Sequence, residues 1–211
     1  RIAIGFTYLD KEECSRAERE FQSLTEMQPR FADAHIGLGY AKLCADDATK
    51  ALTYFRKAIE LEPYNDWAHQ GLGVAYAMQE RWEESDAAFV EAIRFSPAPA
   101  VLHIRLGQSY LSRDKTDEAE AEYQLAATLD PYSQEALIGL TRIWLNQYQE
   151  AQALTAIQDA VALDASNKEA QYLLGLLTVL QGDPENGAAI LQDVLDEEPE
   201  EAYAHYFLGI A

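Results

Sequence analysis

Glycine returns every 34 residues along this chain, at Gly5, Gly39, Gly73, Gly107, Gly175 and Gly209, with Thr141 in the one vacant slot. Proline keeps the same interval at Pro29, Pro63, Pro97, Pro131 and Pro199, with Ala165 in the gap. A period of this length means that one supersecondary unit is copied and stacked. It constrains the architecture more than any other feature and argues against an enzyme, while leaving the partner open.

With the glycine placed at position 8 of the unit, other positions fall into register. Position 7 is leucine at 38, 72, 106, 140, 174 and 208. Position 24 reads Phe21, Phe55, Phe89, Tyr123, Ile157 and Leu191, while position 20 stays small, as in Ala17, Ala51, Ser85 and Gly187. Positions 4, 7, 8 and 11 share one face of a helix, and positions 20, 24 and 27 share a face of a second. Small residues at 8 and 20 let two backbones approach, and the aromatic at 24 fills the space beside them. The proline at position 32 ends one hairpin and opens the next. Each hairpin must stack on neighbours to bury its apolar face.

These positions carry a resemblance to the tetratricopeptide repeat. The resemblance implies an all-α, right-handed α-solenoid of antiparallel helical hairpins. The register gives a partial unit at 1–31, full units at 32–65, 66–99, 100–133, 134–167 and 168–201, and a lone first helix at 202–211. Repeat five, at 134–167 when the partial first unit is counted, is the most irregular, with Thr141 and Ala165 in the glycine and proline slots. There, Gln147 to Ala151 reads as a turn and helix start displaced by two residues, with a local change of superhelical geometry. Pro184 is expected inside an intra-hairpin turn and Pro99 at a helix boundary.

The chain begins inside a helix at Arg1 and ends in the apolar run Tyr203 to Ile210, so it is expected to be part of a longer protein, since solenoids need polar caps. No signal peptide or long apolar run is visible, and a cytoplasmic location is slightly favoured. Sixteen basic against 36 acidic residues leave a net charge of −20. That charge argues against nucleic acid, whose phosphates attract Lys and Arg, and against an anionic membrane surface. Most of the acids read as a solvated face; the sharper reading is an acidic patch for a basic partner.

No catalytic constellation is present. The chain lacks GxxxxGK[ST], GxGxxG and GxSxG, and it has no calcium-loop spacing. His35, His69, His103 and His205 all fall at position 4, too far apart along a stack to share a zinc ion. They read as packing rings, with a pH-responsive ladder as the alternative. Cys14 and Cys44 lack CxxC spacing and read as reduced thiols, with a bridge between them as the other possibility. No cofactor or metal is expected.

The first helix of each unit carries a second stripe at positions 2, 5, 9, 12 and 13, which solvent exposure alone would make polar. Here it is apolar and aromatic: Ile2, Phe6 and Leu9; then Ile36, Tyr40 and Leu43 with Asp33; then Trp67, Val74 and Met78; then Ile104 and Leu111; then Ile138 with Arg142; then Tyr172 and Leu176. In tetratricopeptide proteins these positions line the concave groove that takes ligands. The resemblance therefore implies a scaffold or adaptor that holds an apolar or amphipathic protein segment, with Arg142 as an orienting charge. The competing reading is that a tight superhelix turns the stripe into ordinary core. Lys, Arg and Asn do not form a carboxylate clamp for a chaperone tail, since only Arg142 and Asn146 point inward with Arg105 nearby. Nor do asparagines line position 6, where Gly37, Gly71, Arg105, Gly139 and Leu173 stand. Two alternatives remain: a substrate-docking region of a larger enzyme such as a glycosyltransferase, and a self-assembling array.

Overall fold

The computed structural model describes residues 1–197, which form twelve α-helices and no strand. In order they are α1 (Ile2–Asp10), α2 (Cys14–Met27), α3 (Ala32–Cys44), α4 (Ala48–Leu61), α5 (Asp66–Ala77), α6 (Trp82–Phe95), α7 (Ala100–Leu111), α8 (Thr116–Leu129), α9 (Gln134–Asn146), α10 (Glu150–Leu163), α11 (Lys168–Leu180) and α12 (Pro184–Glu197). Taken in pairs they are the hairpins that the period predicts, an all-α solenoid architecture. The helix expected at 202–211, with His205, Leu208 and Gly209, lies outside the described residues, as does Pro199.

Every hairpin turns in the same way. Position 15 takes a left-handed backbone at Glu12, Asp46, Glu80, Asp114, Tyr148 and Gly182, with φ between 56° and 85°. The next residue's N–H then reaches a carbonyl five residues back, for example Asp47 to Lys42, Arg81 to Tyr76 and Gln149 to Trp144. This Schellman closure satisfies a carbonyl that the helix end leaves open. From α3 onward each second helix starts sixteen residues after its first, α9 and α10 included. The displaced turn expected after Asn146 is therefore absent, and Tyr148 sits where Asp46 and Glu80 sit. Pro184 also departs from expectation: it opens α12 instead of lying in the turn. The first helical position suits proline because the missing N–H has no intrahelical partner there. Asp183 caps this helix by accepting from the Asn186 N–H at 3.3 Å.

The core is built around position 24. Phe21 lies between Gly5 and Gly37, Phe55 between Gly39 and Gly71, and Tyr123 between Gly107 and Gly139. In each case the second glycine, at position 6, belongs to the next repeat. A Cβ on Gly39 would stand 2.5 Å from the Phe55 ring, so the slot exists only because both walls lack side chains. Repeat five solves the same problem with other shapes. Thr141 and Leu173 replace the glycines and Ile157 replaces the ring, all three buried. Buried Thr141 satisfies its hydroxyl on the Leu137 carbonyl at 2.8 Å, and buried Ser85 does so on Gly73 at 2.9 Å.

Packing divides the chain at Leu102–His103, within α7, into two compact units. In the first, successive helices from α1 to α6 pack in order, and the first helices of neighbouring hairpins also touch, α1 on α3 and α3 on α5. In the second, α8 to α12 pack in order. The cysteines correct the sequence reading: Cys14 at the start of α2 and Cys44 at the end of α3 form a disulfide, with Cα atoms 5.6 Å apart. Stacked hairpin turns bring position 17 of one repeat beside position 13 of the next, so no CxxC spacing is needed.

Candidate functional site

The stripe on the first helices divides by unit. In the first unit, Ile2, Phe6 and Asp10 of α1, Asp33 and Ile36 of α3, and Trp67 of α5 line one cavity of about 440 Å³. All six occupy positions 2, 5, 9 or 13, the stripe that the sequence singles out. Trp67 is 59% exposed and Met78 42% exposed, whereas Tyr40, Leu43 and Val74 are half-buried. Ile36 is buried and forms part of the cavity wall from below. Tyr40 packs edge-to-face on Phe55, with ring centroids 5.1 Å apart.

In the second unit the same stripe serves packing. Ile104 is 1% exposed and joins the core around Tyr123 and Leu140, with Leu111 against it. Ile138 is buried in the cluster around Ile157 and Leu173, against which Tyr172 packs, and Leu176 is buried as well. Ile104, Ile138 and Leu176 are thus held in the core, with Leu111 and Tyr172 partly buried against it. Arg142 is exposed, and its guanidinium already pairs with Glu169 at 2.5 Å.

That ion pair belongs to a series. At three of the five described steps a position-9 side chain of one repeat donates to position 2 of the next, while Val74 and Val101 at a fourth have no polar side-chain group to pair. The Tyr40 hydroxyl donates to the Trp67 carbonyl at 3.2 Å, Gln108 donates to Glu135 at 2.9 Å, and Arg142 pairs with Glu169. The first rung departs from this pattern. Phe6 holds position 9 and can donate nothing to Asp33. Asp33 has no hydrogen bond or ion pair among the described residues. Its carboxyl is pushed above the usual carboxylate range, first by burial and then by the charge of Glu62. Asp10 was not singled out by the sequence reading, although its place at position 13 is a signal for it. It closes α1, where the negative helix end disfavours an anion.

The described histidines, His35, His69 and His103, make local structural contacts. His35 and His69 meet the carbonyls of Pro29 and Pro63 at 2.9 and 2.8 Å, bracing the inter-repeat turn. Gln171 fills the same role toward Ala165. His103 instead meets Glu122 at 2.6 Å. Among the described residues no cluster of His, Cys, Asp and Glu is arranged to hold a metal ion, and no helix is long and apolar enough to cross a membrane.

Comparison with solved structures agrees with this architecture. PilF of Pseudomonas aeruginosa shares 18% identity at a TM-score of 0.83, over 100% of this chain and 96% of its own. PilW, a type IV pilus biogenesis factor, shares 15% at 0.80, over 98% and 96%. YrrB, described as a TPR protein with an unusual peptide-binding site, shares 22% at 0.64, over 88% and 96%. At these identities the likeness shows the fold alone. No curated protein matches the chain. The family model of the tetratricopeptide repeat matches residues 3–66 and 71–134, more than half of the sequence. With the period, the hairpins and the glycine slots all in the same register, the chain belongs to the tetratricopeptide-repeat family.

Proposed function

We propose that this chain is a non-catalytic interaction scaffold that holds an apolar or amphipathic protein segment on the first-helix face of its first unit. The observation that supports this reading most is the cavity of about 440 Å³ among Ile2, Phe6, Ile36 and Trp67, with more than half of Trp67 open to solvent. Interfaces favour aromatic residues and methionine, and Tyr40 on α3 with Trp67 and Met78 at the two ends of α5 supply them. Burying such anchors yields roughly 25 cal/mol per Å² before ordering costs, so a few suffice for a specific complex. Leu111, Tyr172 and Arg142 of the second unit have a supporting role in this reading, because packing and Glu169 already engage them.

The test is affinity capture with the wild type, with Trp67→Glu, and with Val90→Glu, an exposed apolar residue on α6 outside the cavity lining. A protein retained by the wild type and Val90→Glu but released by Trp67→Glu supports the groove. Equal retention by all three removes it.

A second reading concerns location. The Cys14–Cys44 bridge favours an oxidising compartment over the cytoplasm. Acid-quenched cells treated with a maleimide reagent would show both thiols blocked from labelling until reduction. Labelling without reduction would place the chain in a reducing compartment.

A further inference from the structure

The groove of the first unit holds an acceptor that its own repeat does not serve. Wherever position 2 carries an acid among the described repeats, the preceding position 9 decides its partner. Glu135 receives Gln108 and Glu169 receives Arg142, but the residue before Asp33 in this series is Phe6, which has no donor and lines the same cavity. Two cations of this unit reach acids other than Asp33: Arg1 pairs with Glu20 at 3.1 Å and Lys42 with Glu18 at 2.5 Å. Asp10 adds a second carboxylate to the same lining, at the negative end of α1. The walls between the two are apolar.

We propose that the segment held in this groove is cationic as well as apolar, with a Lys or Arg that completes the Asp33 rung beside an aliphatic or aromatic side chain seated among Ile2, Phe6, Ile36 and Trp67. This rests on the groove reading above and narrows its ligand to one chemistry. Three observations converge on it. The cavity is apolar enough to take an anchor, and its two charged groups share one sign. Asp33 is desolvated and repelled by Glu62, so an incoming cation relieves an existing cost and adds a charge-assisted hydrogen bond. The net charge of −20 also speeds the approach of a basic segment and repels an acidic one. An acidic or purely apolar segment would bury Asp33 without a partner, which is the arrangement that interfaces penalise.

The experiment selects a displayed random peptide library on the intact chain and measures the enriched peptides against wild type, Trp67→Ala and Asp33→Asn. Both substituted side chains are at least partly open to solvent, and circular dichroism confirms the fold. The expected peptides carry Lys or Arg next to an apolar anchor and lose binding to Trp67→Ala. Replacing their basic residue by Gln weakens binding to the wild type about fivefold, as a partly exposed ion pair should. The same replacement leaves binding to Asp33→Asn unchanged. Peptides that need Trp67 but carry no basic residue overturn the cationic requirement and leave the groove standing. So do peptides whose basic residue matters equally in Asp33→Asn. If no peptide depends on Trp67, the groove reading and this inference fall together.

Discussion

The ring of Phe55 occupies a space that two different repeats keep empty, Gly39 on one side and Gly71 on the other. Adding a methyl at Gly39 should cost roughly 1–3 kcal/mol of stability, because the atoms it meets are fixed ring carbons. A urea melt of Gly39→Ala checks this; an unchanged midpoint would mean that the slot is looser than its geometry. Tyr123 is the one tyrosine in this position, and burial first and the nearby Glu135 second push its phenol up to about 12 from an ordinary 10.0. The folded chain keeps that proton after the unfolded chain has lost it. Its contribution is therefore complete below pH 10 and drains away between pH 10 and about 12, by about 1.4 kcal/mol per unit. Tyr123→Phe should lessen the alkaline loss of stability, read from urea midpoints on either side of pH 10. The glycine slots were legible in the sequence because they recur. The Asp33 rung was not, since a missing donor shows only when Phe6 is seen against its counterparts Gln108 and Arg142.

At the scale of elements, the hairpin was readable from spacing and the joint between hairpins only in part. The apolar period gives two helices to each repeat, since faces of a helix follow from residue order. It erred at Gln147–Gln149, where local residues suggested a shifted turn, because a turn set by backbone closure tolerates Tyr148 as readily as Asp46. It also left the cysteines open, since only stacking brings the start of α2 to the end of α3. That bond joins adjacent hairpins across 30 residues of sequence, and the loop-entropy model values such a closure at roughly 3–4 kcal/mol. Cys14→Ser, or reduction of the wild type, should lower unfolding free energy by about that amount. A reduced protein with an unchanged denaturation midpoint would contradict it. The stripe on the first helices shows the same limit. Its apolar character was plain, but burial of Ile104 and Ile138 against access at Trp67 depends on packing.

At the scale of the molecule, 36 acidic side chains against 16 basic ones dominate the electrostatics. Several ion pairs are i,i+3 contacts on exposed helix faces, such as Arg81–Glu84 and Lys57–Glu60, and pairs of that kind contribute little. Self-repulsion therefore outweighs local pairing, and raising NaCl from ~0.05 to ~0.5 M should raise the melting temperature. A melting temperature that falls with salt would show that the pairs matter more than the net charge. The slots around position 24 have a consequence for descent. Each repeat carries half of a lock and half of a key: Phe55 demands a glycine in the repeat that follows, whereas Ile157 accepts Leu173. A gene rearrangement that copied the Leu173 repeat behind Phe55 would jam a side chain into a filled space. The tandem array looks interchangeable in outline, yet its order is inherited as a unit, and new repeats can be duplicated only next to neighbours whose shape they already match.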